Sequence, residues 1–347
     1  MATILDVARE ADVSPATVSR VINNSFLVSE EKQQRVYEAM QKVGYVPAPK
    51  HRSPKIEGKL LVAVTNMINY DLFDGMQSSA ADLGYGLVFA HIPDRPGALK
   101  ETTQLLKLLD EGKQVAGILL MNYIETEPGF LKYIQKYPVV QVMESVELNN
   151  NYLVSTDDYQ AAYDAVTHLI KQGRKRIAIY VTKLPENRTN FEKQRLHGYT
   201  AALLDNGLEP LDELLRYSDF NLEGAVYTTK KMLQTMECLP DAILCMTDTV
   251  ARGCMKTLID CGVMVPDEIA VVGIDDLEGN DYLRPSLTSV AQAFDIIGEE
   301  SVRLLHSVIA GETTIGRKIY VPHKLMVRES STVIKQQATT EEASHSK

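Results

Sequence analysis

Two groups of residues in this chain are chemically informative, and neither is arranged for catalysis. The first lies near the N-terminus in VSPATVSRVINN at positions 13–24, where Ala16, Thr17, Ser19, Arg20 and Asn23 share one face of a helically spaced stretch. A guanidinium bonds a guanine edge bidentately, and small hydroxyls and amides suit phosphate oxygens. The second group is spread through the chain, at positions that follow short apolar runs: Asn69, Asp71, Leu72, Phe73, Glu144, Arg195, Phe220, Thr247, Asp248, Asp275, Gln292 and Phe294. Carboxylates accept from vicinal hydroxyls, arginine donates two parallel bonds, and aromatic faces stack on a sugar ring or a base. That set suits a neutral polyhydroxylated ligand better than a phosphate. The seven histidines sit beside no Ser or Cys nucleophile motif, and neither a P-loop nor GxGxxG occurs. Cys238, Cys245, Cys254 and Cys261 form no CxxC pair, and Cys254 and Cys261, seven apart on an expected helix, read as core thiols of a reducing cytoplasm. No catalytic residue, metal site or cofactor is expected.

The elements that must position the first group are three short helices. Thr3 with Asp6 makes a capping box, and Ile4, Val7, Ala8 and Ala11 recur at helical spacing. Asp12 and Val13 break that run. Ser14 is a good N-cap, and Pro15 fits the first helical position. Val18, Val21 and Ile22 give the second helix its apolar stripe. Ser29 caps a third, with Val36, Met40 and Val43 facing inward and Gly44 ending it. Two helices at a tight turn, the second with small polar groups outward, read as a helix-turn-helix whose second helix enters the major groove.

The second group needs a different scaffold. From position 60 onward, apolar runs of strand length alternate with helically patterned segments. Strands are expected at 60–64, 85–91, 115–121, 139–143, 176–181, 215–218, 242–246 and 269–273. Helices are expected at 73–84, 99–112, 130–136, 160–172, 192–204, 225–236 and 250–261. Such alternation predicts doubly wound parallel sheets, and its length predicts two of them. Ligands of open α/β sheets bind beyond the carboxyl ends of the strands, which selects the residues named above.

Charge separates the two parts. The whole chain carries −10, yet residues 1–59 hold nine Lys/Arg against seven Asp/Glu, and the remainder 27 against 39. A mildly basic head on an acidic body directs DNA to the head alone. Residues 46–59, VPAPKHRSPKIEGK, form a basic linker with three prolines, in which Lys50 and Arg52 are placed to meet phosphates. The polar tail 334–347 reads as disordered. No 18-residue apolar run and no signal peptide are found, so the expected compartment is the cytoplasm, without membrane contact.

The run VSPATVSRVINN, followed by VS and GYVP, closely resembles the head of the lactose/galactose repressor family. ILCMTD, VPDEIAVVGIDD and PSLTSVAQ extend the resemblance through the core, and DDYQAAYDAV is similar to the cytidine-repressor branch. The resemblance implies a helix-turn-helix head at 1–47, a linker at 48–59 and a two-lobed core like periplasmic sugar-binding proteins at 60–333. It places the lobe crossings near Asp157, Leu287 and Tyr320, giving lobe 1 as 60–157 and 288–320 and lobe 2 as 158–287 and 321–333. It implies a transcriptional repressor acting as a homodimer, or a tetramer formed as a pair of dimers, on double-stranded operator DNA. Thr3, Ser14, Pro15, Ala16, Thr17, Ser19, Arg20, Asn23, Lys50 and Arg52 then form the DNA-contacting set. The family uses the arginine before xxGY and the aspartate ending VxGxDD for effector contact, which are Arg195 and Asp275 here. A sugar ranks first as effector and a nucleoside second. Two departures stand out: Ala48 replaces a common Asn, and no leucine lies between Pro47 and Gly58 to wedge into the minor groove. The rival class, a glycoside-cleaving enzyme built on the cleft carboxylates, would leave the head without a role.

Overall fold

A computed structural model describes residues 4–14, 17–18, 21, 29–43, 45, 59–92, 98–112, 114–121, 130, 134–144, 148, 151–181 and 189–332. They divide into two units, Met1–Lys55 and Ile56–Lys347.

In the first unit, α1 (Ile4–Glu10) stops where Asp12 takes a φ of 50°. The Val13 amide then bonds the Ala8 carbonyl at 3.0 Å, and the Asp12 amide bonds that of Arg9 at 3.3 Å. This paired closure satisfies carbonyls that a helix end leaves bare, and aspartate is one of the few side chains that tolerate the left-handed conformation. The break expected at Asp12 and Val13 is thus a built helix stop. The chain is helical again at Thr17, Val18 and Val21. Ser14 caps that turn, its Oγ accepting from the Thr17 amide at 3.1 Å. Helix α2 (Glu30–Val43) completes the unit. Val7, Ala8, Ala11, Val18, Val21, Val36 and Ala39 make a small core. Arg35 of α2 reaches across to the Ala11 carbonyl at 2.6 Å. The Thr3 half of the expected capping box lies outside the described residues.

The second unit holds two six-stranded sheets. One contains β1 (Leu60–Thr65), β2 (Gly86–His91), β3 (Val115–Met121), β4 (Val139–Val142), β5 (Leu153–Thr156) and β11 (Lys318–Val321), in the order β11-β5-β4-β3-β1-β2. The other contains β6 (Ile177–Val181), β7 (Leu215–Tyr217), β8 (Ala242–Cys245), β9 (Ala270–Asp275), β10 (Thr288–Ala291) and β12 (Lys324–Met326), in the order β12-β10-β9-β8-β6-β7. All described pairings are parallel except β10 with β12. Helices α3 (Tyr70–Leu83), α4 (Ala98–Glu111) and α9 (Phe294–Ile309) flank the first sheet; α5 (Asp158–Lys171), α6 (Asn190–Asp205), α7 (Leu222–Thr235) and α8 (Asp248–Asp260) flank the second. Both faces of each sheet are covered. Leu61 and Ala63 pack with Leu72, Met76 and Ile297 on one side, and Val62 and Val64 with Leu106, Phe130 and Ile134 on the other. A strand buried on both faces reads as an unbroken apolar run, which is what LLVAV shows.

The chain passes between the sheets three times, after β5, after β10 and between β11 and β12. The second passage falls at Gln292–Ala293, beyond the position expected from Leu287. Thr288–Ala291 is a strand of the second sheet, in register with Val272–Asp275. Its Thr288 and Ser289 are fully buried because Arg328, Ser330 and Asp248 supply their hydrogen bonds. Of the helix expected at 130–136, Phe130 and Ile134 are helical and buried, while Gln135 and Lys136 already form a turn. Most observed helices begin two or three residues earlier than the apolar pattern suggests, because Asn69, Asp157, Asn221 and Thr247 cap them.

Candidate functional site

The head is the simpler site. Of its DNA-contacting set, Ser14 and Thr17 are described. They share a hydroxyl–hydroxyl hydrogen bond of 2.9 Å as well as the cap. Thr3, Pro15, Ala16, Ser19, Arg20, Asn23, Lys50 and Arg52 lie outside the described residues. Burial of Val18 and Val21 at 0 and 1 % exposure fixes which face of that helical stretch turns inward.

In the second unit, the end of the second sheet gathers one guanidinium and two acidic groups. Helix α6 carries Arg195 one turn beyond Phe191. Gly198 lets that helix sit against α5, because a Cβ there would lie 2.1 Å from the Tyr159 carbonyl oxygen. The close approach brings buried Arg195 to Asp158, with Nε donating to Oδ1 at 2.8 Å. Its Nη1 donates to the Met246 carbonyl. Its guanidinium lies 4.9 Å from the Phe191 ring centroid, a cation–π distance. Phe191 in turn packs on Phe220, with centroids 5.9 Å apart.

Asp275 ends β9 with a φ of 125°, a conformation that costs a non-glycine residue energy. Its Oδ1 accepts from Gln292 Nε2 at 2.7 Å. Burial pushes the Asp275 carboxyl up to about 7; Arg195 pulls it down, while Asp248 and Asp158 push it further. Burial also raises Asp158, against the pull of Arg195. Two carboxyl groups therefore compete for one cation. Gln292 Oε1 and Thr156 Oγ1, at two of the passages between sheets, are buried with no hydrogen-bond partner among the described residues. Buried polar atoms are normally paired, so these two mark where a polar group is wanted.

Other expected residues are engaged elsewhere. Asp248 is fully buried and accepts from Ser289 Oγ, Leu277 N and Asn280 Nδ2 at 2.6, 2.8 and 2.7 Å. Thr247 caps α8 through the Val250 amide, and Asn69 caps α3 through that of Leu72. Leu72 and Phe294 belong to the core of the first sheet, at 1 and 7 % exposure. Phe73 stacks on Phe89 with centroids 4.2 Å apart, while Asp71 is exposed on the first turn of α3. Glu144, buried beyond β4, accepts from the Asn190 and Phe191 amides of α6 at 3.2 and 3.3 Å. Asp158 and Phe191 escaped the sequence reading. Asp158 follows β5 by the same strand-end rule, and Phe191 precedes Arg195 by one helical turn. An open groove of about 880 Å³ lies apart from this cluster, along β7 and α7 between Tyr217, Asp219, Tyr227 and Lys231.

A small helical head and, in the same chain, a two-sheet core with a charged cluster at its strand ends define a class: DNA-binding regulators with a ligand-binding core. Comparison with known proteins agrees. Residues 3–48 match the model of "Bacterial regulatory proteins, lacI family", and residues 166–331 match that of a periplasmic binding protein-like domain. Catabolite control protein A of Priestia megaterium is 34% identical over 336 residues, spanning 95% of this chain and 99% of its own. The ribose operon repressor of Escherichia coli K12 is 30% identical over 339 residues, spanning 95 and 100%. Among solved structures, the complex of the transcriptional regulator CelR with cellobiose superposes with a TM-score of 0.71 at 28% identity, covering 95% of this chain and 100% of that one. The lac repressor dimer bound to operator and an anti-inducer shares the fold, with a TM-score of 0.69 at 23% identity over 96 and 99% of the two chains. The chain belongs to the lacI family of bacterial regulatory proteins. It is a DNA-binding transcriptional regulator and not an enzyme. Among the described residues no helix is long and apolar enough to cross a membrane.

Proposed function

We propose that this regulator is a cytoplasmic, homodimeric repressor whose grip on double-stranded operator DNA is set by a neutral sugar held between the two sheets. The observation that carries the reading is the Arg195–Asp158–Asp275 cluster beside the unpaired Gln292 Oε1. Two carboxyl groups to one guanidinium repel a phosphate and offer acceptors to hydroxyls. Phe220, half exposed beside Phe191, supplies a stacking face. The kinship with a cellobiose-bound regulator and a ribose operon repressor supports the same choice. The head reads DNA through Ser14, Pro15, Ala16, Thr17, Ser19, Arg20 and Asn23, with Thr3, Lys50 and Arg52 on phosphates. A nucleoside is the second reading: the Phe191–Phe220 pair also suits a base, and the repressor PurR of Mannheimia succiniciproducens is 29% identical. A thermal-shift screen of the full chain against neutral sugars, sugar phosphates and nucleosides tests the ligand class, since a ligand that binds only the folded state raises the melting temperature. Stabilisation by neutral sugars supports the proposal; stabilisation confined to sugar phosphates or nucleosides overturns it.

A further inference from the structure

Helix α6 has an unusual start. Its four leading amides, those of Thr189, Asn190, Phe191 and Glu192, are all satisfied, but from two different sources. Thr189 and Glu192 form a reciprocal capping box within the second sheet's own lobe. The two amides between them are bonded by Glu144, which stands beyond β4 in the other lobe. A capping box alone leaves the first helical amides to water, so a carboxylate imported from across the cleft is an addition to the helix's own cap. Glu144 is buried, at 4 % exposure, and Met143 before it adopts a φ of 69°. A negative charge at a helix N-terminus is favoured by the aligned peptide dipoles.

The position of this contact gives it consequence. Phe191, whose amide Glu144 holds, carries the ring under the Arg195 guanidinium. Arg195 lies one turn further along the same helix and contacts Asp158 at the first passage between the lobes. One turn of α6 thus joins the ligand-facing arginine to a carboxylate of the opposite lobe. We infer that Glu144 is a positioning residue that latches the two lobes together through α6, and that it couples occupation of the Arg195 site to the angle between the lobes. The coupling half rests on the proposed ligand site; the latch itself does not. When the lobes part, the carboxylate and both amides return to water together. A ligand that pulls on Arg195 or Phe191 shifts the balance between the latched and parted states.

Residue-resolved amide hydrogen exchange on the full-length protein, with no ligand added, tests the latch. Asn190 and Phe191 amides should exchange slowly in the wild type and about tenfold or more faster in Glu144→Ala, the scale set by losing a charge-assisted hydrogen bond. The Glu192 amide, held by Thr189, should change little. Glu144→Gln, whose amide oxygen still accepts, should fall between. Operator affinity measured on the same ligand-free proteins should shift roughly fivefold or more in Glu144→Ala and less in Glu144→Gln, within the range of known couplings between sites. Unprotected Asn190 and Phe191 amides in the wild type, or the same protection in Glu144→Ala, would overturn the latch. Faster exchange with unchanged operator affinity would overturn the coupling. Neither measurement uses an effector, so failure of the sugar reading is separately visible.

Discussion

Asp275→Asn should change how the stability of the core responds to pH, by an amount that follows from its surroundings. In the folded chain burial raises this carboxyl from 3.8 to about 7. That difference corresponds to about 4 kcal/mol between its protonated and ionised forms. The side chain is partly open to the cleft, so solvent screening reduces the figure to roughly 2–3 kcal/mol. Because the folded value lies above the unfolded one, the folded state holds the proton more tightly. The contribution is fully present below about pH 4 and is lost as pH rises through about 7. Asparagine keeps the shape and can still accept from Gln292, but it has no charge to bury. Urea unfolding of wild type and Asp275→Asn at pH 5, 6, 7 and 8 isolates the effect, since every other titrating group is common to both. From pH 5 to pH 8 the stability of the variant relative to wild type should rise by about 1 kcal/mol of that total, the rest having been lost below pH 5, and most steeply near pH 5–6. A difference that stays flat across that range would refute the account of the cluster.

Arg195→Met should destabilise the core by about 3–5 kcal/mol, because Asp158 is left buried beside Asp275 without its cation. Adding Asp158→Asn should recover part of that loss, and a double-mutant cycle in urea that shows strict additivity would contradict the pairing. Ser14→Ala should weaken the head by about 1 kcal/mol through loss of the cap on Thr17. Amide exchange should then rise in the first unit and stay constant in the second. Gly198→Val should drive α6 off α5, given the 2.1 Å approach to the Tyr159 carbonyl. A loss of about 1–3 kcal/mol in unfolding free energy is expected, and an unchanged melting temperature would show that the helix contact adapts.

Much of the architecture was legible because its physical causes are local. Strands buried on both faces are written as continuous apolar runs, and the head's helix stops and caps are written at Asp12 and Ser14 themselves. The second passage between lobes was misplaced for the opposite reason. It was placed near Leu287 on the resemblance alone, whereas Thr288 and Ser289 pair with β9 and take their side-chain partners from residues 40 or more positions away. Part of the proposed cluster was legible: Asp275 ends β9, Arg195 lies on the helix that follows β6, and the Arg195 charge acts on the Asp275 carboxyl. The same rule also selected Asn69 and Thr247, whose side chains cap helices, and Asp248, which is taken up by three donors. Strand-end polar residues serve caps and ligands alike, and a sequence does not separate the two. Asp158 was passed over because it stands behind the capping Asp157, and its value lies in a contact with α6 that only the packing at Gly198 creates.

The central claim is that a small molecule at the Arg195 cluster gates DNA binding by the head. Its most direct measurement is the operator Kd, by fluorescence anisotropy, of wild type and Arg195→Met with and without the sugar that stabilises the wild type. The account predicts a roughly 5–150-fold change for wild type. It predicts that the Kd of the variant, whatever its ligand-free value, does not change when sugar is added. Equal switching by both proteins would contradict the placement of the site, and a wild-type Kd that ignores every stabilising ligand would contradict the gating itself.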